Sequence, residues 1–424
     1  MANIATAATQ HHQSIKAIVI AGGVILALSF GVRSMFGGIV VPLSNELFGG
    51  RIEIFSLSIA IQNLVWGLAQ PAFGMVADRY GDRRALWLGL ACYIAGIALC
   101  ILGTTPLAQH LGAGLLVGMG ISGTAFGVVL AVIGRVAPVE KRGLYLGIAS
   151  ALGSLGQVIM PLMASWLTAW FDWRLTLIII AAMLAPMALC IPMMRAQAEP
   201  SADRDDGLLD GSESRLLRQR VADAFKHPGY VFLTAGFFVC GFHLAFITAH
   251  LPNFVQHFCS ASGMSPEELR AYGLQALALV GFANVLGTLL ATHLGGFFPK
   301  PHVLSAIYAL RTLVILAFIS QPITPASVMI FAFAMGMLWL STVPLTSALV
   351  LTMFGPRTMG TLFGFVFLGH QLGSFSGVWL AGAWFDLYAD YGFIWHASIA
   401  LGGLSAILHL FVKERAVPLR PLGA

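Results

Sequence analysis

The sequence predicts an all-α integral membrane protein with twelve transmembrane helices in two pseudo-symmetric six-helix halves. Its 424 residues are 58% hydrophobic and only 10% charged, whereas a soluble domain carries about 25% charged residues. The chain contains twelve apolar runs, each close to the length of about 20 residues that a spanning helix requires. One long polar segment, residues 195–228, separates the sixth run from the seventh. These observations together define the fold class.

The apolar runs also define the domain organisation. Residues 1–194 hold the first six runs and form the predicted N-terminal half. Residues 195–228 have mixed charge and few apolar residues, which predicts a cytoplasmic connecting loop. Residues 229–424 hold the other six runs and form the predicted C-terminal half. The predicted spans are 17–43, 54–77, 85–104, 109–134, 143–169, 174–194, 230–257, 270–295, 302–320, 325–352, 359–384 and 392–412.

The basic residues predict the orientation of the helices. With the N-terminus inside the cell, the outer segments hold only Arg51, Arg174 and Arg270, and the other eighteen loop arginines and lysines are cytoplasmic. This bias follows the positive-inside rule, and it accounts for the net charge of +5 without a nucleic-acid partner. We therefore expect a multi-pass protein of the plasma membrane, in a bacterial inner membrane, with both termini cytoplasmic.

Several classes of function have no signal in the sequence. The five cysteines lie in or beside apolar runs without metal-ligand spacing, which is typical of small packing residues. No nucleotide-binding motif is present, so we expect neither a cofactor nor direct use of ATP. An enzyme or a sensor would need a nucleophile–base pair or a metal set, and no motif indicates one.

The two halves repeat each other in sequence. The stretch GVRSMFGGIVVP in the first run resembles GFHLAFITAHLP in the seventh, and RGLYLGIASALGSLGQ in the fifth resembles MGTLFGFVFLGHQLGS in the eleventh. Parallel repeats with a site near the midplane of the membrane are typical of secondary transporters. The first repeat makes His243 the counterpart of Arg33. The matched residues are Gly31 with Gly241, Phe36 with Phe246, Pro42 with Pro252, Gly143 with Gly360, Gly147 with Gly364, and Gly156 with Gly373.

Arg33 stands in the middle of the apolar stretch ALSFGVRSMFGGIVV. All 18 acidic residues fall in predicted loops or tails, so Arg33 and Arg311, the two basic residues in the interior of spans, have no membrane carboxylate. Burying an arginine there costs about 2.5–3.5 kcal/mol on insertion scales, and an anionic ligand held by the planar guanidinium would offset that cost. Alternatively, Arg33 bonds backbone carbonyls or extends towards the membrane surface. For Arg311 we expect pairing with a helix end.

The loop after the second run reads GMVADRYGDRR and resembles the signature of the major facilitator superfamily. With twelve spans and a long central loop, the resemblance covers the whole chain and implies the major facilitator fold. It also implies that this loop gates the cytoplasmic face by making contacts that differ between two states. A basic stop signal would explain the arginines but not the spacing of Gly and Asp. The implied gating residues are Gly74, Asp78, Arg79, Gly81 and Arg83.

Within that superfamily the chain resembles the bacterial branch of the monocarboxylate porters, which is grouped with oxalate/formate exchangers. VRSMFGGIV is similar to the first helix of animal members, with Arg33 at the place of a lysine, and FFVCGFHLAFITAHLP and LGHQLGSF look like the seventh and eleventh helices of the bacterial branch. The eighth run departs from the pattern, because Asn284 and Thr288 stand where these porters carry charged residues.

The resemblance and the membrane arginine together predict a transporter of a small organic anion, a monocarboxylate, that works by alternating access and is coupled to protons. Its expected partners are that anion, protons and the lipid bilayer, and we expect a monomer. The alternative is proton-driven efflux of an amphiphilic drug or siderophore-like molecule. Such antiporters usually have a Gly-Pro-rich motif in the fifth helix, of which GSLGQVIMP is a weak version, and often a membrane carboxylate, which is missing here.

The remaining candidate residues are polar or aromatic side chains in the apolar runs. Polar stripes of this kind also hold helices together, so packing is the alternative role for each. His243 and His370 are in addition the candidates for proton coupling, because the unperturbed pKa of histidine is near 6.5. The substrate-binding candidates are Arg33, His243, His370, Gln371, Gln62, Gln157, Trp339 and Thr342.

Overall fold

The computed structural model describes residues 2–194, 209–259 and 263–417, and within these ranges the regular structure is helical, without a strand. Ten segments are long and apolar enough to cross a membrane. Two further helices, Ile52–Tyr80 and Met359–Tyr388, have 29 and 30 residues and occupy the second and eleventh predicted positions. The described residues thus contain the twelve membrane segments in the predicted order.

The first six segments follow closely on one another. Their bounds are Ala2–Phe48, Ile52–Tyr80, Asp82–Leu102, Pro106–Val136, Arg142–Trp170 and Trp173–Met193. The fourth contains a π-helical turn over His110–Leu116. Local signals fix several helix starts; for example, the Asp172 carboxylate accepts a hydrogen bond from the Leu175 amide at the start of the sixth segment.

The last six segments have clearer start signals. Their bounds are Pro228–Phe258, Pro266–Phe297, Lys300–Ile319, Pro325–Phe354, Met359–Tyr388 and Gly392–Leu410. The eighth begins with a capping box, in which Ser265 and Glu268 satisfy each other's amides and Pro266 takes the first helical position. The tenth begins in the same way at Thr324.

The polar segment between the halves is partly helical, where we expected only a connecting loop. Residues 195–208 lie outside the described residues, but Leu209–Lys226 forms an α-helix of 18 residues. Its apolar residues recur at spacings of three and four, and Ala224 is fully buried. This periodicity is typical of an amphipathic helix. The charged residues make the average composition of the segment polar, so composition alone did not predict the helix.

The contacts divide the chain into two compact units. Unit 1 contains Met1–His227, Val350–Gly364 and Arg415–Ala424, and unit 2 contains Pro228–Leu349 and Phe365–Glu414. Residues 350–364, around the start of the eleventh helix, therefore pack with the first six segments. The predicted boundaries of the two six-helix halves remain predictions.

The repeated glycines mark equivalent helix contacts in the two units. In unit 1 a Cβ on Gly31 would clash with Met160, and one on Gly156 with the Ala27 carbonyl. In unit 2 a Cβ on Gly241 would clash with the His370 carbonyl, and one on Gly373 with the Phe238 carbonyl. Small residues allow membrane helices to approach closely. The matched glycines thus bring the first helix to the fifth and the seventh to the eleventh.

Candidate ligand-binding and gating sites

Arg33 lies half-buried in unit 1 and faces the second helix. Its Nη2 donates to Oδ1 of Asn63 at 2.6 Å, and its guanidinium carbon lies 5.1 Å from the ring centre of Trp66. Asn63 and Trp66 are three residues apart, so they share one face of their helix. Each neighbour holds the guanidinium in place without neutralising its charge.

The charge of Arg33 has no anionic partner among the described residues. The four ion pairs found in that part of the chain involve other side chains. Nε of Arg33 is buried without a hydrogen-bond partner there. A guanidinium with an unpaired Nε donor and an oriented plane is suited to binding a carboxylate.

The glutamines of the second helix point to the fourth segment instead. Nε2 of Gln62 donates to the Ala113 carbonyl at 2.9 Å, and Nε2 of Gln70 donates to the Ser122 carbonyl at 3.1 Å. Trp66 is linked to this row because its indole N–H donates to Gln70. Gln62 and Gln70 therefore connect two helices, while Gln157 lies half-buried on the fifth helix.

His370 and Gln371 form a polar cluster in unit 2. Nδ1 of His370 lies 3.1 Å from Oε1 of Gln371, and the Ser374 hydroxyl donates to the His370 carbonyl at 3.0 Å. The imidazole ring lies between Phe237 and Phe367, with ring centres 5.0 and 5.3 Å away. The imidazole ring is thus held by the neutral side chains of Gln371 and Ser374 and by two aromatic rings.

His243, on the seventh helix, packs against the twelfth helix. It is fully buried, and its Nε2 lies 2.8 Å from the Ser398 carbonyl in the twelfth helix. Further along the seventh helix, His250 and Asn253 both contact the hydroxyl of Tyr391. These contacts tie the seventh helix to the twelfth, which is the packing role that we named as the alternative.

Trp339 and Thr342 lie where the tenth segment is interrupted. Helix Pro325–Met337 ends before Trp339, and a second helix runs over Thr342–Phe354. The Thr342 hydroxyl is 3.3 Å from the Cys240 thiol, and both side chains are fully buried. Trp339 is 9% exposed.

The motif GMVADRYGDRR, which we expected in a loop, forms the end of the second helix and the start of the third, with only Gly81 between them. Asp78 is its most highly connected residue. Its carboxylate accepts hydrogen bonds from the Gly360 amide at 3.2 Å, the Thr361 amide at 2.7 Å and the Thr361 hydroxyl at 2.8 Å. Arg135 donates to it at 3.2 Å and also pairs with Asp82. Gly360 and Thr361 are in the first turn of the eleventh helix, whose amides have no partners within the helix. Asp78 therefore caps that helix from another part of unit 1.

The motif glycines support this arrangement. A Cβ on Gly74 would clash with the backbone of Gly360, so glycine permits the close approach. Gly81 has a φ of +98° between the second and third helices, a conformation that favours glycine. Arg79 stacks on Tyr80, with its guanidinium carbon 4.9 Å from the ring centre, and Arg83 is half-buried.

Sequence reasoning missed three partners of the predicted residues. Asn63 had a weak signal, as an amide in an apolar run. Arg135 had only the signal of a loop cation, and Thr361 had none, because its amide and hydroxyl bond a residue that is distant in sequence. No group of three or more His, Cys, Asp or Glu suited to a metal occurs among the described residues.

Comparison with known proteins identifies the family. Residues 23–263 match the Major Facilitator Superfamily. The match covers more than half of the chain, which therefore belongs to this superfamily of membrane transporters. The predicted fold class and family are confirmed, and both the family and the fold are those of transporters rather than enzymes.

Individual relatives agree with this assignment. The uncharacterized MFS-type transporter YcxA of Bacillus subtilis is 25% identical over 89% of this chain and 90% of its own length. Monocarboxylate transporter 13 of Bos taurus is 24% identical over 91% of this chain and 86% of its own length. The solved structure of the proton:xylose symporter XylE superposes with a TM-score of 0.69 at 17% identity, covering 95% of this chain and 97% of that one.

Proposed function

We propose that this protein is a secondary active transporter that moves a monocarboxylate across the plasma membrane by alternating access, together with a proton. The observation that carries the proposal is Arg33, a guanidinium in an apolar helix whose neighbours Asn63 and Trp66 are both neutral. The likeness to monocarboxylate transporter 13 over nearly the whole chain supports the same substrate class.

Arg33 would recognise the carboxylate through charge and geometry together. Two parallel hydrogen bonds between a guanidinium and a carboxylate fix the orientation of the anion as well as its position. Asn63 orients the guanidinium from one side, and the Trp66 ring provides an apolar wall at the site. A carboxylate bound there would neutralise the charge of Arg33.

Transport in proteoliposomes tests the proposal. With an inward proton gradient, we expect accumulation of at least one of radiolabelled L-lactate, pyruvate and formate, and a protonophore should abolish it. D-xylose and ethidium serve as comparison compounds. Extrusion of ethidium without uptake of any monocarboxylate would instead favour the efflux alternative.

His370 is our candidate for the proton carrier, because its Nδ1 contacts the side chain of Gln371, whereas Nε2 of His243 is bonded to a backbone carbonyl of the twelfth helix. Replacing His370 by Gln should abolish proton-driven accumulation but retain exchange of labelled L-lactate. The exposed His293 provides the control, since His293→Gln should transport normally. Loss of both activities in His370→Gln would contradict the coupling role and indicate binding or packing.

The proposed orientation places both termini and the connecting helix Leu209–Lys226 in the cytoplasm. A cysteine at the exposed Ala222 should resist a membrane-impermeant maleimide added to intact cells, whereas one at the exposed Thr104, between the third and fourth segments, should be labelled. The unmodified protein is the blank, because its five cysteines are buried or half-buried. External labelling at position 222 would overturn the orientation.

A further inference from the structure

The tenth membrane segment is broken in the middle of an apolar run. One helix ends at Met337 and the next begins at Thr342, so residues 338–341 form an interruption at membrane depth. Pro344 explains why a continuous helix is unfavourable, because its ring would clash with the Leu340 carbonyl and it has no amide hydrogen. The break therefore leaves backbone groups that need partners from outside the helix.

The local hydrogen bonds show which groups these are. The Leu338 and Trp339 amides donate to Met335 and Gly336, three residues back, and the Val343 amide donates to the Leu340 carbonyl at 3.0 Å. The Trp339 carbonyl consequently loses the amide that would bond it in a regular helix. Irregular backbone is tolerated in a membrane only where other protein groups or water satisfy it.

Arg311 supplies donors for the carbonyls at the break. Its Nε and Nη2 donate to the Leu338 carbonyl at 3.0 and 2.5 Å, and Nη2 also contacts the Trp339 carbonyl. Arg311 is fully buried, and its guanidinium carbon lies 5.1 Å from the ring centre of Tyr308. A cation is favourable at this place because the carboxyl end of a helix carries partial negative charge.

Asn284 supplies the acceptor on the other side of the break. Its Oδ1 accepts from the Leu340 amide at 2.8 Å and from the Thr288 hydroxyl at 3.2 Å. The eighth helix can come this close because a Cβ on Gly287 would clash with the Met337 carbonyl. Asn284 and Thr288 are the residues that depart from the porters that this chain resembles.

We infer that Arg311 and Asn284 are positioning residues that hold the tenth helix interrupted and thereby set the places of Trp339 and Thr342. The guanidinium fixes the carbonyl side of the break, and the amide oxygen fixes the N–H side. The consequence for transport rests on the proposed function and on the expectation from the sequence that Trp339 and Thr342 bind the anion. The geometry of the break does not depend on the identity of that anion.

Hydrogen–deuterium exchange of peptides covering residues 336–346 tests the positioning role directly. Arg311→Gln and Asn284→Ala should each accelerate exchange there by at least about tenfold, the effect of losing one hydrogen bond to a charged or buried group. Arg311→Lys should restore part of the protection. The matched control is Ser305→Ala, which removes a buried hydrogen bond from the same helix as Arg311 to Ala406 and should leave these peptides unchanged.

Transport of L-lactate provides a second test of the positioning role. We expect Arg311→Gln to raise KM by about tenfold with a smaller effect on kcat per folded molecule. If Arg311 acts through Thr342, its effect on KM should not add to that of Thr342→Val in a double-mutant cycle.

Two results would overturn the inference: unchanged exchange of these peptides in both variants, or additive effects on KM. Failure of the unmodified protein to transport any monocarboxylate would refute the proposed substrate class instead, and the exchange experiment would still decide the positioning role.

Discussion

Replacing Arg33 by Gln should weaken monocarboxylate binding by roughly thirty- to several-thousand-fold while the protein remains folded and inserted. Truncating one partner of a desolvated charge pair costs about 2–5 kcal/mol, and the neighbours Asn63 and Trp66 have no charge with which to replace it. Arg33→Lys should give an intermediate loss, because lysine retains the charge but not the planar pair of donors.

Affinity for L-lactate and melting temperature, measured on the same preparations, separate this role from a structural one. Arg174→Gln is the matched control, since Arg174 is an arginine of the same unit that is already paired with Glu46 at an exposed position; it should bind normally. If Arg33 serves packing only, both Arg33 variants should melt earlier and bind normally. Unchanged affinity in a well-folded Arg33→Gln would contradict the proposed binding of the carboxylate by Arg33.

Replacing Asp78 by Asn should lower the transport rate by about tenfold or more with little change in KM. The variant loses the charge that attracts Arg135 and the two first-turn amides of the eleventh helix. Hydrogen bonds to a charged group contribute about 1.5–3 kcal/mol each, which suffices to shift a two-state gate by one or two orders of magnitude.

Exchange of the Gly360 and Thr361 amides reports on the same contact. Both should exchange faster in Asp78→Asn, and also in Gly74→Ala, whose added Cβ would push the eleventh helix away. Gly143→Ala is the control, because nothing lies within 4 Å of a Cβ at that position. Normal transport by Asp78→Asn together with faster amide exchange would show that the contact stabilises the fold without gating.

Sequence composition predicted the parts of the fold that depend on composition. It did not predict the parts that depend on contacts between residues distant in sequence. Run length predicted the twelve segments, because a bilayer demands about 20 apolar residues regardless of packing. It did not predict the break at 338–341, since those residues are as apolar as their neighbours and only Pro344 hinted at it. The helix Leu209–Lys226 was likewise missed, because its apolar face is narrow and its composition is polar.

The candidate sites divide in the same way. Arg33 and Asp78 were recognisable because a charge in an apolar run and a motif spacing are local features. Their partners were not, since Asn63, Arg135 and Thr361 come from other segments and act through contacts that the sequence does not express. His243 was aligned with Arg33 by the repeat, yet its nitrogen bonds a carbonyl of the twelfth helix.

The cap that Asp78 forms on the eleventh helix has a consequence for mutational tolerance. Two of its hydrogen bonds end on main-chain amides, which every amino acid except proline possesses. In saturation mutagenesis, position 361 should therefore reject proline, and it should prefer serine to other replacements because the buried Thr361 hydroxyl also donates to Asp78. Position 360 should reject nearly everything, because a Cβ there would lie 3.0 Å from the Asp78 carboxylate. Asp78 itself would tolerate little, so each position of this contact would be restricted for its own reason: a carboxylate at 78, the absence of a side chain at 360, and an amide with a hydroxyl at 361.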